Sequence, residues 1–321
     1  MAYLDQEATE KVIAVDFGAT RLRVALVAAG GRILCRAEAA TPSSGRSGDV
    51  VADRISDMIA SIVPPDGTAS FHAVSVSAAG PLDTVRGEVV SSPNMAFDRI
   101  ALVQPLAGRW RVPVYLMNDA RAGIVGERWL GNARGCENAV YITISTGIGA
   151  GAIVNGRLLS GLHGNAGEIG HLYVDSRYGM PCGCGHEGHW EAYASGRSIP
   201  SFFDRWCRVE ECHPEGGRNV ATAAALFQAV REGDPCACAF ADELGRINAR
   251  GVSGVTVAYE PERIIFDGPV MRENSSILLP LIERYRDRYL LLPSLHVSSL
   301  GGDAPLLGAA ASAFGHPDVR I

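Results

Sequence analysis

The 321-residue sequence has only one lysine, Lys11, and it has no long apolar run. No stretch approaches the roughly 20 apolar residues that a membrane helix requires, so we expect no membrane contact. The first ten residues are polar and acidic, unlike a secretory signal peptide, which favours a cytoplasmic protein. The formal net charge of −6 gives no reason to expect a nucleic acid as partner.

Two common nucleotide-binding motifs are also missing. The sequence contains no G-x-x-x-x-G-K-[ST] segment, which excludes a P-loop. Gly147-x-Gly149-x-Gly151 is spaced like a dinucleotide fingerprint, but that motif must follow a strand and open a helix. Here the residues from Ala152 onward have the pattern of a second strand and a turn, so we reject this interpretation.

Two similar β-hairpin patterns open the two halves of the chain. Residues 11–20 predict a strand that ends in an acidic-glycine turn, and a second strand follows directly. Residues 139–154 repeat this order of strand, polar glycine turn and strand. The repetition predicts a duplicated α/β fold with a cleft between the two copies.

The turn of each hairpin has residues that suit phosphate binding. Glycine lets backbone N–H groups approach an anion closely, and Thr20 and Thr146 add hydroxyl donors. The motifs Asp16-x-Gly18-x-Thr20 and Ser145-Thr146-Gly147-x-Gly149 therefore predict nucleotide phosphates held from two sides, although ordinary tight turns are the alternative. Because Asp16 would repel phosphate directly, it would have to act through Mg²⁺ or its water shell.

Asn118 and Asp119 follow a predicted buried strand and begin a predicted helix. Asp119 could simply cap that helix. Alternatively, a carboxylate at the carboxyl end of a strand could accept the proton of a hydroxyl group during phosphoryl transfer. The helix N-terminus would keep such a carboxylate ionised.

A short glycine-rich segment concentrates potential metal ligands. His171 lies just before Cys182-Gly-Cys184-Gly-His-Glu-Gly-His189, and two thiols with two imidazoles can surround Zn²⁺ tetrahedrally. His189 is the natural fourth ligand, with His186 as a competitor that spacing does not exclude. A reduced loop without metal is the alternative. Glu168 and Glu191 flank this segment, and carboxylates there suit the hydroxyl pairs of a sugar.

With these motifs in place, nearly the whole sequence resembles the ROK family (repressors, uncharacterised reading frames and sugar kinases) of the actin-like ATPase superfamily. The similarity runs through several motifs in the family's order. They are Asp16-Phe-Gly-Ala-Thr20, Ala79-Gly80-Pro81, Pro93-Asn94, Asn118-Asp119-Ala120, Ser145-Thr-Gly-Ile-Gly149, Gly167-Glu-Ile-Gly-His171, Cys182-Gly-Cys184-Gly and Gly301 to Gly308.

The resemblance implies the α/β class with duplicated actin-like (ribonuclease H-like) ATPase domains. We expect a smaller domain of residues 1–117 and 303–321, and a larger one of residues 118–302 that carries the zinc loop. The implied function is ATP-dependent phosphorylation of a hexose or N-acetylhexosamine, at the 6-hydroxyl, by a cytoplasmic homodimer with Mg²⁺ and a structural Zn²⁺.

The resemblance also implies individual roles. Asp119 would be the catalytic base. The implied sugar-binding residues are Asn94, Asn118, Asp119, Glu168, His171 and Glu191. The implied nucleotide-binding residues are Asp16, Gly18, Ala19, Thr20, Thr146, Gly147, Gly149 and Gly268. The implied zinc ligands are His171, Cys182, Cys184 and His189, so His171 would serve two sites.

The sequence departs from the family pattern at two places. His189 stands where the family usually has cysteine, and we expect zinc binding to survive because histidine is also a zinc ligand. The usual three glycines of the nucleotide segment are replaced by Gly268-Pro269-Val270, and proline removes an N–H group there. This keeps open a polyphosphate-dependent kinase. The other alternative is a sugar-responsive regulator without a DNA-binding domain.

Overall fold

The computed structural model describes residues 10–63, 70–90, 95–212 and 220–316. Its contacts divide the chain into two compact units. Unit 1 holds the described residues of Met1–Glu137, Gly151–Ala166 and Ser299–Ile321, and unit 2 consists of those of Asn138–Ala150 and Gly167–Ser298. No described helix is long and apolar enough to cross a membrane.

The strands and helices are numbered in chain order. The strands are β1 (Lys11–Phe17), β2 (Arg21–Ala28), β3 (Ile33–Ala40), β4 (Val74–Ala78), β5 (Leu82–Asp83), β6 (Glu88–Val90), β7 (Arg99–Ala101), β8 (Val114–Asn118), β9 (Ala139–Ile144), β10 (Ile148–Val154), β11 (Arg157–Leu158), β12 (Arg263–Asp267) and β13 (Ser294–Val297). The helices are α1 (Asp49–Ile62), α2 (Val103–Trp110), α3 (Asp119–Leu130), α4 (Glu191–Ala194), α5 (Ile199–Glu210), α6 (Ala223–Arg231), α7 (Pro235–Tyr259), α8 (Pro269–Tyr285) and α9 (Ala304–Ala313).

The main sheet of unit 1 has the strand order β3-β2-β1-β4-β8. The hairpin β1–β2 and the pair β2–β3 are antiparallel, whereas β4 is parallel to both β1 and β8. Strand β4 is buried at every residue, which fits its central place in the sheet. The carboxyl ends of β1, β4 and β8 therefore meet at one edge, where Asp16, Ala78 and Asn118 lie.

Helices α3 and α9 pack together in unit 1 through glycines. A Cβ atom on Gly308 would lie 1.7 Å from the carbonyl oxygen of Ala122, and one on Gly126 would lie 2.2 Å from that of Ala304. Contacts this close exclude any side chain, so the two helix backbones approach each other as far as sterics allow. Helix α3, which begins at Asp119, is thereby fixed against the C-terminal helix.

The second five-stranded sheet has the order β11-β10-β9-β12-β13, in which β12 is parallel to β9 and β13. The predicted repeat of the β-hairpin is thus confirmed by strand order: β9–β10 in this sheet corresponds to β1–β2 in the first. Trp190 is fully buried in unit 2 and donates its indole N–H to Asn248 Oδ1 at 2.9 Å. This fixes the backbone between His189 and Glu191.

The predicted domain bounds and the compact units differ in α3 with the residues that follow it to 137, in residues 151–166 and in residues 299–302. Residues 118–302 were expected to form one domain, but α3 and residues 151–166 lie in unit 1, because α3 packs against α9. It stays a prediction that one domain consists of residues 1–117 with 303–321 and the other of residues 118–302.

Candidate functional site

The first glycine turn joins β1 to β2 in unit 1. The Gly18 N–H donates to the carbonyl oxygen of Arg21 at 3.0 Å, and the Gly18 carbonyl accepts from Thr41 Oγ1 at 2.7 Å. A Cβ atom on Gly18 would lie 3.3 Å from the Arg21 oxygen, so the turn is tight. Ala19 and Thr20 form the bend that follows, and Thr20 is exposed.

Asp16, the last polar residue of β1, lies beside an arginine. Arg23 is its cross-strand neighbour and donates to Asp16 Oδ2 from Nε at 2.9 Å and from Nη2 at 2.6 Å. Burial raises the pKa of Asp16, and the charge and hydrogen bonds of Arg23 oppose that rise. The second carboxylate oxygen, Oδ1, faces Ser77 Oγ at 3.4 Å.

Asn118, not Asp119, is the N-cap of helix α3. The side-chain oxygen of Asn118 accepts from the backbone N–H groups of Ala120 and Arg121 at 3.0 and 3.2 Å. Asp119 is the first residue of the helix, and its Oδ1 accepts from the Ala120 N–H at 2.8 Å. The positive end of the helix dipole favours the ionised carboxylate at this position.

The second glycine turn, between β9 and β10 in unit 2, lies against Glu191. Glu191 Oε2 accepts from the backbone N–H of Ile148 at 2.9 Å. A Cβ atom on Gly147 would lie 2.4 Å from the same oxygen, so a side chain there would displace the Glu191 carboxylate. Thr146 is exposed at the tip of the turn, and Gly149 follows in β10.

Gly268 and Pro269 form the start of helix α8. Gly268 has φ = 88°, and a Cβ atom there would lie 2.3 Å from the carbonyl oxygen of Ile144, so glycine is required. Its N–H donates to Asp267 Oδ1 at 2.7 Å. Pro269 occupies the first turn of the helix, where the missing N–H leaves no backbone acceptor unsatisfied.

Four potential metal ligands come together in unit 2: His171, Cys182, Cys184 and His189, whose ligand atoms all lie within 4.8 Å of one another. His171 Nδ1 is 3.4 Å from His189 Nδ1 and 3.6 Å from Cys182 Sγ. His189 Nδ1 is 3.3 Å from Cys184 Sγ. His186 lies outside this set: its Nδ1 is 3.8 Å from the sulfur of Cys184, and its ring stacks on that of His189 with the centroids 5.8 Å apart.

These separations fit a tetrahedral zinc site. Ligand distances of about 2.0–2.1 Å for nitrogen and about 2.3 Å for sulfur place neighbouring nitrogens about 3.3 Å apart, and a nitrogen and a sulfur about 3.6 Å apart. All eight cysteines are free thiols. Burial raises the pKa of Cys182 to about 11, whereas at Cys184 hydrogen bonds with His186, Cys182 and His189 outweigh burial and lower the pKa to about 6.

His171 connects this cluster to Glu168. Its Nδ1 atom faces the cluster, and its Nε2 atom lies 4.0 Å from Glu168 Oε2. Burial raises the pKa of Glu168, while His171 opposes the rise and Glu191 adds to it. The three residues are therefore electrostatically coupled within unit 2, beside the potential metal ligands.

Of the predicted site residues, Asn94 lies outside the described residues. The structure adds two residues that sequence reasoning missed, Arg23 and Arg121. Arg121 is 5% exposed and donates to the Gly164 carbonyl at 3.1 Å and to Ser160 Oγ at 2.8 Å. The one sequence signal for Arg23 was its place on β2, across from Asp16.

The model of the ROK family matches residues 12–315. The chain belongs to the ROK family. It is 35% identical to a glucokinase of Pyrobaculum calidifontis over 310 residues, which cover 96% of both chains. This confirms the predicted family.

Two solved ROK structures share the fold. A ROK hexokinase from Thermus thermophilus has a TM-score of 0.76 and 30% identity, covering 95% of this chain and 98% of that one. A ROK family glucokinase from Streptomyces griseus, in complex with glucose and AMPPNP, has a TM-score of 0.78 and 29% identity, covering 94% and 98%. The α/β actin-like ATPase fold with two domains is therefore confirmed for this ROK chain.

Proposed function

We propose that this ROK protein is an ATP-dependent sugar kinase that phosphorylates a hexose or N-acetylhexosamine at its 6-hydroxyl. The observation that carries the proposal is the pair of glycine turns on equivalent hairpins, together with a carboxylate, Asp119, at the start of an asparagine-capped helix. The similarity to glucokinases over nearly the whole chain supports the same activity.

In the proposed reaction Asp119 accepts the proton of the sugar hydroxyl. The hydroxyl oxygen forms a bond to the γ-phosphorus of ATP as the bond to the β–γ bridging oxygen breaks, and ADP leaves with that oxygen. Asn118 supplies the helix cap, so Asp119 is not required for capping. Asp119 is proposed to position the hydroxyl and to take its proton late in the transfer.

Five residues are proposed to hold the sugar, because carboxylate and amide oxygens accept hydrogen bonds from its hydroxyl groups. They are Glu168, His171, Glu191, Asn118 and Asn94, the last of which lies outside the described residues. Backbone N–H and hydroxyl groups are proposed to hold the nucleotide. They belong to Gly18, Ala19, Thr20, Thr146, Gly147, Gly149 and Gly268. Mg²⁺, when bound near Asp16, neutralises phosphate charge.

Zn²⁺ is proposed to bind His171, Cys182, Cys184 and His189 as a structural ion that orders the loop before Glu191. Its role is to hold His171 with Nε2 towards Glu168. Four protein ligands leave no position for substrate, which makes catalytic zinc the weaker interpretation. We also propose that the enzyme is a cytoplasmic homodimer, which size-exclusion chromatography with light scattering tests.

A coupled ADP-release assay tests the proposed function. The purified protein is supplied with Mg²⁺ATP and, one at a time, glucose, mannose, fructose, N-acetylglucosamine and N-acetylmannosamine. We expect ADP release that depends on at least one of these sugars. Replacing ATP by polyphosphate at fixed sugar separates the two donors, provided that the sugar phosphate is measured directly, because transfer from polyphosphate releases no ADP. A chain that releases no ADP with any sugar, and phosphorylates none with polyphosphate, is not a kinase of this class.

A further inference from the structure

Arg23 is the centre of an ion-pair network that joins three segments of unit 1. It donates to Asp16 Oδ2 on β1 from two nitrogens, to Asp303 Oδ1 at 2.9 Å, and to the carbonyl oxygen of Gly302 at 2.8 Å. Arg36 of β3 reaches Asp303 from the other side, at 2.8 and 3.3 Å. The Arg23 side chain is only 14% exposed, and those of Asp16 and Asp303 are 15% and 19% exposed.

The network orients Asp16 in a specific way. Both Arg23 bonds go to Oδ2, so that oxygen is committed to the guanidinium. Oδ1 is left with Ser77 Oγ at 3.4 Å, which is a weak contact. Two N–H groups from a rigid guanidinium that converge on one oxygen restrict its position more than a single, freely rotating ammonium would.

The same network reaches helix α9. Asp303 is the residue before Ala304, where α9 begins, and α9 packs through glycines against α3. Helix α3 begins at Asp119. Arg23 therefore stands in a continuous set of contacts within unit 1, from Asp16 through Asp303 and α9 to the helix that carries Asp119.

We propose that Arg23 is a positioning residue for phosphoryl transfer: it holds Asp16 by Oδ2 and leaves Oδ1 with only the long contact to Ser77 Oγ, and through Asp303 it ties the first glycine turn to the α9–α3 pair. The proposal rests on the proposed kinase function. It assigns Arg23 no contact with substrate. Arg23 acts by setting the position of the Asp16 carboxylate relative to helix α3, which begins at Asp119.

An ordinary structural ion pair is the competing interpretation. Buried ion pairs often contribute little net stability, although removing one partner leaves an unpaired charge and is costly. A purely structural Arg23 would change the melting temperature and leave the rate constants of the folded enzyme unchanged. A positioning Arg23 changes kcat and the Mg²⁺ dependence at temperatures where the variant is folded.

The test compares Arg23→Gln and Arg23→Lys with Arg21→Gln. Arg21 lies two residues away on the same strand, and its side chain is 62% exposed and pairs with Glu38. It is therefore a matched control for removing a β2 arginine. Each variant is measured for melting temperature, kcat, the KM of the sugar and the Mg²⁺ concentration at half-maximal rate. ADP binding is measured by calorimetry with and without Mg²⁺.

We expect Arg23→Gln to lower kcat by about 10- to 100-fold, the scale of a small misplacement in an active site. The Mg²⁺ needed for half-maximal rate rises, ADP binding becomes less dependent on Mg²⁺, and the KM of the sugar stays within about twofold. Arg23→Lys recovers part of kcat, because one ammonium keeps the charge without the fork. Arg21→Gln matches the wild type in every measurement.

The proposal is wrong if folded Arg23→Gln keeps the kcat and Mg²⁺ dependence of Arg21→Gln. If Arg23→Gln does not fold, Arg23→Lys decides: unchanged kcat and Mg²⁺ dependence overturn the proposal, and lowered kcat with a raised Mg²⁺ requirement supports it. Failure of the kinase function is a different result, since the wild type itself would then release no ADP. In that case calorimetry still measures how Arg23 affects the Mg²⁺ dependence of ADP binding. Equal Mg²⁺ dependence in Arg23→Gln and wild type would overturn the proposal.

Discussion

Replacing His189 by alanine should release the proposed zinc ion, whereas replacing His186 should not. His189 Nδ1 lies 3.4 Å from His171 Nδ1 and 3.3 Å from Cys184 Sγ. Both values are close to the edges of a zinc tetrahedron, about 3.3 and 3.6 Å. His186 Nδ1 lies 3.8 Å from Cys184 Sγ and is outside the set of four whose ligand atoms lie within 4.8 Å.

The size of the effect follows from ligand number. Structural zinc contributes on the order of 10 kcal/mol of apparent binding free energy in small zinc modules, shared among four ligands. Losing one ligand should therefore weaken binding by orders of magnitude and lower the melting temperature by several degrees. His189→Cys restores a thiolate at the same place, and we expect it to retain the metal.

The assay measures zinc per chain by elemental analysis after dialysis against a mild chelator. We expect about one zinc per chain in the wild type, His186→Ala and His189→Cys, and a strong loss in His189→Ala. Melting temperatures with and without added zinc give a second readout. Zinc retained in His189→Ala but lost in His186→Ala would refute the assignment of the fourth ligand, and a wild type without zinc would refute the site.

Two further predictions concern stability. Gly308→Ala should lower the melting temperature strongly, because its Cβ would lie 1.7 Å from the Ala122 carbonyl oxygen. Gly108→Ala is the control: a Cβ there meets nothing within 4 Å, so the melting temperature should stay unchanged or rise. Equal effects of the two changes would contradict the packing of α3 on α9. Burial raises the pKa of Glu243, with nearby arginines opposing. At pH values above this raised pKa, the ionised carboxylate of Glu243 therefore lowers the stability of the fold. Below about pH 4.5 the carboxyl group is neutral and has no such effect. Glu243→Gln should accordingly raise the melting temperature more at pH 7 than at pH 4, and the reverse order in thermal scans would show that its ion pairs outweigh burial.

Much of the fold follows from local patterns in the sequence. The two hairpins are recognisable because each strand is short, apolar and bounded by a glycine turn. The start of α3 is recognisable because asparagine before a helical pattern is a strong capping signal, and Asn118 does cap that helix. Pro269 was interpreted only as a departure from the family's glycine segment, whereas in the structure it lies in the first turn of α8.

Other features depend on contacts between distant parts of the chain. Nothing near Gly308 in the sequence indicates that Ala122 lies against it, because that contact joins residues far apart in the chain. The Arg23–Asp303 ion pair likewise spans most of the chain. The proximity of His171 to Cys182 was foreseeable from short spacing and family resemblance, and His189 was already predicted as the fourth ligand; the structure adds the distances between these side chains.

The most direct test of the account compares sugar-dependent ADP release by the wild type and by Asp119→Asn. Asparagine keeps the size of the side chain and can still accept from the Ala120 N–H, so the fold should be preserved. It cannot take a proton, and loss of a general base costs about 100- to 10,000-fold in rate. The account predicts a collapse of kcat of this size with sugar and ADP binding retained by calorimetry. A folded Asp119→Asn variant that phosphorylates sugar at near wild-type rate would contradict the account.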